Sequence, residues 1–155
     1  MTTLVLYDSQ FGNTEKIAQA IGKGIGGDVQ VRSAKELEAI GWYELKLLVV
    51  GTPTQGGRPT PALQKLFEAI PADGLKGAKV AAFDTRFREK DHNFALRALM
   101  KTIGYASVKM VKILEAKGGT LIAQPQGFFV TDKQGPLVDG EIDRAEQWGT
   151  TLAQL

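Results

Sequence analysis

The chain has 155 residues, 43% of them hydrophobic and 23% charged, which is the composition of a single globular domain (1–155) able to bury a core. A net charge of +2 gives no reason to expect nucleic acid, and the absence of cysteine with only one histidine argues against disulfides, thiolate chemistry and a Cys/His metal site. No apolar run approaches the roughly 20 residues of a membrane span and no leader pattern opens the chain, so a cytoplasmic protein without membrane insertion is expected.

Residues 4–7 form an apolar run that reads as a buried parallel strand. After a polar turn, Ile17, Ala20, Ile21 and Ile25 mark a helical stripe, whose later turns Gly22 and Gly24 weaken. Residues 29–32 make a weaker strand, and 34–40 a short helical turn. A second buried strand is 47–50. Leu63, Leu66, Phe67 and Ile70 follow on a helix, with Thr60 as its N-cap and Pro61 at its first position. Residues 80–83 are a third buried strand, and Phe94, Leu96, Leu99 and Met100 lie at helical spacing. Val108, Val111, Ile113 and Leu114 belong to a further helix stopped by Gly118 and Gly119. Another strand occupies 120–123 and resumes, after a break, at 127–130. Ile142, Ala145, Trp148 and Leu152 mark the last helix, opened by Asp139.

Strands alternating with helices predict βαβ units and a doubly wound, five-stranded parallel sheet with helices on both faces. Ligands of such sheets sit beyond the carboxyl ends of the strands. Three loops therefore matter, those after Tyr7, Val50 and Phe83.

The first is Asp8-Ser9-Gln10-Phe11-Gly12-Asn13-Thr14. It lacks the endings of a nucleotide P-loop and of GxGxxG. Gly12 permits a tight bend, Ser9, Asn13 and Thr14 carry short donors, and a helix begins beside them. Composition alone fits a helix cap as well as a phosphate cradle. The loop contains no lysine or arginine, so the anion it suits is a phosphate monoester held by neutral donors. The second loop, Gly51-Thr52-Pro53-Thr54-Gln55-Gly56-Gly57-Arg58-Pro59, is long for a βα connection, which leans functional. The third begins Asp84-Thr85-Arg86-Phe87-Arg88. Phe87 has two readings, stacking on a flat ring or packing beneath the next helix.

Together these loops resemble the flavodoxin family. The residues that carry the resemblance are Ser9, Gln10, Phe11, Gly12, Asn13 and Thr14 for the phosphate loop, Thr52, Pro53, Thr54, Gln55, Gly56 and Gly57 for the first flavin loop, and Asp84, Thr85, Arg86 and Phe87 for the second. Gly135-Pro136-Leu137 and Gly140-Glu141-Ile142-Asp143-Arg144-Ala145 are similar to the ending of a flavodoxin-like branch. The resemblance implies strand order 2-1-3-4-5, bound FMN and no metal. It also implies one-electron transfer between redox partner proteins rather than a stand-alone enzyme. An FMN-dependent NAD(P)H:quinone-type reductase and a flavin-free binding module are the alternatives. Nothing in the sequence demands an oligomer.

Two departures from the family imply weaker FMN binding. Phe11 stands where the family usually has a hydroxyl, and residues 52–59 contain no aromatic side chain. Gly56 or Gly57 is expected to turn a backbone carbonyl to flavin N5 when the ring gains a proton. Residues 79–117 hold nine Lys/Arg against four Asp/Glu. Arg86 and Arg88 within them are either cations near the flavin's N1 edge or part of a solvated basic face. His92 is expected at the surface, and Trp42 and Trp148 in packing roles.

Overall fold

The computed structural model describes residues 1–36, 39–54, 57–87 and 105–155. The first half runs β1 (Thr2–Tyr7), α1 (Asn13–Ile25), β2 (Gln30–Ser33), a 3-10 turn (Trp42–Glu44), β3 (Leu45–Pro53) and α2 (Pro61–Ala69). The second runs β4 (Lys79–Phe87), α3 (Ala106–Ala116), β5 (Thr120–Leu121), β6 (Gln126–Val130) and α4 (Glu141–Ala153). The strands are parallel and ordered β2-β1-β3-β4-β5, with β6 also paired to β4.

The expected order is therefore present, with a sixth strand added. β5 and β6 follow one another along the same partner: Val80 faces Leu121, and the ladder resumes where Phe83 faces Gln126. Four residues, 122–125, thus oppose only Ala81 and Ala82. The surplus bulges out, and Pro125 within it has no N–H for the ladder.

Alternation along each strand divides the core between the two faces. Leu4, Leu6, Leu48, Val50, Val80 and Ala82 pack with Leu63 and Phe67 of α2 and with Met110, Val111 and Leu114 of α3. Val5, Leu47, Val49, Ala81 and Phe83 pack on the other side with Ile17 and Ile21 of α1 and with Ala145 and Leu152 of α4. Trp148 serves this second core, as expected, meeting Phe83 edge-on at 6.3 Å and Phe128 at 6.1 Å between ring centres. Helix α1 keeps its form through Gly22 and Gly24. A side chain at Gly24 would collide with the Glu146 carbonyl of α4, so glycine there lets the two helices touch.

Several boundaries differ from the sequence reading. β3 and β4 continue past their apolar runs, so Gly51-Thr52-Pro53 and Asp84-Thr85-Arg86-Phe87 are strand rather than loop. Their polar members Thr52, Asp84 and Thr85 are buried with hydrogen-bond partners, so the ladder need not end where the hydrophobic residues do. The N-cap of α4 is Gly140, not Asp139. Thr60 does cap α2 by position, but its hydroxyl makes no capping bond. His92, the helical pattern at 94–100 and part of the turn at 34–40 lie outside the described residues.

Candidate functional site

The carboxyl ends of β1, β3 and β4 lie side by side in the sheet, so the three loops converge at one edge. Asp8 continues the ladder by donating its N–H to the Gly51 carbonyl at 3.1 Å. The buried Asp8 carboxylate accepts the Ser9 N–H at 3.0 Å and lies 3.5 Å from the Lys35 ammonium. Ser9 Oγ accepts the Gly12 N–H at 3.1 Å, which folds the loop on itself and leaves the serine's own proton available to donate.

Gly12 is the N-cap of α1, with φ 92 and ψ −9, and among the described residues no side chain caps the helix. Asn13 and Thr14 are turned elsewhere: Asn13 Nδ2 donates to the Gln134 carbonyl at 3.1 Å, and the Thr14 hydroxyl meets that of Thr85 at 2.8 Å. The first intrahelical bond is Lys16 N–H to the Gly12 carbonyl. The N–H groups at the head of α1, at Asn13, Thr14 and Glu15, therefore lie at its positive end with no capping side chain. Ser9, Asn13 and Thr14 are not the helix cap.

Space is present as well. An ideal Cβ built on Gly12 meets nothing within 4 Å, so ligand atoms can approach this backbone. Phe11 is 42% exposed beside it. Tyr7, the last residue of β1, has its phenol pKa raised by burial first, then by the Glu15 carboxylate, which also accepts its hydrogen bond, and by Glu36.

Thr85 joins all three loops. Its hydroxyl meets Thr14, and its carbonyl accepts the Thr54 N–H at 3.0 Å. Thr52 Oγ1 accepts the Thr60 N–H at 3.2 Å and donates to the Pro53 carbonyl, tying the second loop to the start of α2. The buried hydroxyls of Thr54 and Thr60 have no hydrogen-bond partner among the described residues. Gly57 is buried with φ 75, while Gln55 and Gly56 lie outside the described residues.

Asp84 and Arg86 point to the other face of β4 from Thr85. Asp84 is fully buried and holds Arg86 through both carboxylate oxygens. Asp84 also accepts the Ser107 N–H at 2.9 Å, at the head of α3. Arg86 is thus neither solvated nor free. Arg88, paired with it in the charge argument, is outside the described residues.

The turn at residues 131–137 is the part the sequence reading missed. It folds back on β6 through Thr131 N–H to the Pro136 carbonyl and Val138 N–H to the Phe129 carbonyl. Its Gln134 carbonyl reaches Asn13, and Gly135 packs so closely on the Asn13 amide that a Cβ there would overlap it. No local pattern announces that contact, which spans 121 residues of sequence. Gly135-Pro136 was the available signal, but neither its turn chemistry nor the family-like ending it belongs to places it beside Asn13.

The chain is 22% identical to a flavodoxin from the domain Archaea, with TM-score 0.76, and the match covers 99% of this chain and 97% of that one. Flavodoxin 1 from Bacillus cereus is 17% identical with TM-score 0.74, covering 99% and 98%. A flavodoxin, WrbA-like protein from Agrobacterium tumefaciens is 18% identical, also with TM-score 0.74, covering 99% and 95%. At these identities the likeness shows the fold. No curated protein sequence matches the chain. Residues 5–151 match the Flavodoxin family, spanning the second half of the first strand, all three loops and most of the last helix, and the chain belongs to that family.

Proposed function

We propose that this protein binds FMN and carries single electrons between redox partner proteins. The observation that carries the reading is the head of α1, where first-turn N–H groups lack a capping side chain and Gly12 leaves open space. The family and the fold support a flavin-binding, electron-transferring role.

The donor set fits the cofactor's phosphate monoester. The first loop offers the Ser9 hydroxyl, one proton from the Thr14–Thr85 hydroxyl pair and the N–H groups of Asn13, Thr14 and Glu15. None of these carries a formal positive charge, so the helix dipole and hydrogen bonds would hold the anion. Residues 52–54, 57, 85 and 87 would form the walls for the flavin ring. Bound FMN would supply the redox chemistry itself.

The protein's own contribution is to bind, orient and exclude water. Thr85 would keep the phosphate side and the ring side in fixed register, because one residue bonds to both the first and second loops. Gly57, at positive φ, gives the second loop a sharp bend beside the ring site. Phe11 adds no hydroxyl, so the site has fewer donors than the family usually presents.

The test is an anaerobic reaction of the FMN-loaded protein. A carrier takes electrons from a reduced dye and passes them to cytochrome c, but does not oxidise NADPH in the presence of a quinone. Sustained NADPH oxidation by the isolated protein would replace this reading with a reductase.

A further inference from the structure

We infer that Arg86 is a positioning residue: it clasps the end of β4 to the start of α3 and does not place its charge on the flavin. The inference rests on the FMN reading for its affinity measurement but not for its structural one.

The Arg86 guanidinium is held along one edge and on its faces. Nε and Nη2 donate to the two oxygens of Asp84, and Nη2 also donates to Ser107 Oγ at 3.2 Å. The Tyr105 ring lies under it, 3.5 Å from Cζ to the ring centre. Gly127 of β6 backs it, and any Cβ at that position would overlap the guanidinium. The Asp84 carboxylate completes the unit by accepting the Ser107 N–H at the positive end of α3.

These partners come from both sides of residues 88–104. Asp84 and Arg86 stand before that segment, and Tyr105 and Ser107 after it. The end of β4 and the head of α3 are therefore fixed to each other. Fixing the end of β4, which carries Thr85 and Phe87, to the head of α3 lowers the entropy lost when these walls close on a ligand. A planar fork and a flat stacking face are needed for this set of contacts, and lysine has neither.

The experiment compares Arg86→Ala and Arg86→Lys with the unaltered chain. In the apoprotein, amide exchange at Ser107 should quicken in both variants at least tenfold more than exchange at Val5 in the sheet centre, which reports the global loss from unpairing Asp84. With FMN, both variants should show a dissociation constant raised about tenfold, and a midpoint potential equal to that of the unaltered protein. Wild-type affinity in Arg86→Lys but not in Arg86→Ala would show that charge matters rather than the fork, and overturn the inference. A shifted potential at unchanged affinity would overturn it too, by placing the charge on the ring. Equal acceleration at Ser107 and Val5 would reduce Arg86 to general stability and also overturn it. If the unaltered protein binds no FMN, the flavin reading fails, and the exchange rates alone still decide the clasp.

Discussion

The hydroxyls of Thr14 and Thr85 meet at 2.8 Å inside the protein, joining α1 to β4 across 71 residues of sequence. Both residues are almost fully buried, so each hydroxyl depends on the other. Removing one leaves its partner without a bond. Thr14→Val and Thr85→Val should each lower the unfolding free energy by about 1–2 kcal/mol. The double variant should cost less than the sum of the two. Urea denaturation of the four proteins checks this, and strict additivity would show that the bond carries no coupling.

Gly12 has a backbone that other residues adopt only under strain, although no neighbour obstructs a methyl group. Gly12→Ala should therefore destabilise the apoprotein by only about 1 kcal/mol. Its effect on FMN should be larger, roughly tenfold or more in dissociation constant, because the methyl group occupies the ligand's approach. Calorimetry with and without FMN separates the two effects. Equal losses in both states would remove Gly12 from the site.

The sheet edge at β6 is guarded by α4. Glu141 accepts the Phe129 N–H at 2.8 Å, and Arg144 binds both the Glu141 carboxylate and the Gly127 carbonyl. Arg144 also lies over the Phe128 ring. These side chains take up backbone groups that an edge strand otherwise offers to another chain. Arg144→Ala should lose about 1–3 kcal/mol of stability and raise self-association at high concentration. Sedimentation equilibrium reads the second effect, and a variant that associates no more than the unaltered chain refutes the guarding role.

Tyr7 predicts an alkaline limit. Burial, then Glu15 and Glu36, raise the phenol's folded pKa above its unfolded value of 10.0. Above that unfolded value the unfolded chain releases the proton while the folded chain still holds it. Stability is therefore fully present below pH 10 and is lost as pH climbs toward the folded pKa. Tyr7→Phe should flatten that part of the stability profile. An identical alkaline decline in the variant assigns the loss to other groups.

The buried strands and the helix stripes were legible because alternation and helical spacing are direct images of burial. Leu4, Val5 and Leu6, or Val80, Ala81 and Ala82, could hardly face anything but core on both sides of a sheet. The strand ends were not legible. Asp84 and Thr52 look like loop residues, but they face each other in the β3–β4 ladder, and Ser107 and Thr60 satisfy their buried polar groups. The position of the first loop was legible from Gly12 and its neighbours, but its competence was not. Whether Ser9, Asn13 and Thr14 cap the helix depends on Gln134 and Thr85, which sequence does not place beside them. Arg86 shows the same limit: its charge is visible in the sequence, but the partners that occupy it are not.

The central claim is that the head of α1 and the loops around Thr85 form an FMN site. Titrating purified apoprotein with FMN and following flavin fluorescence tests it most directly. The account predicts saturable binding of one FMN per chain, with a dissociation constant at or below about 10 μM, or roughly 7 kcal/mol of binding free energy. It also predicts that riboflavin, which lacks the phosphate, binds at least tenfold more weakly. No saturation at about 100 μM FMN, or equal binding of riboflavin, would contradict it.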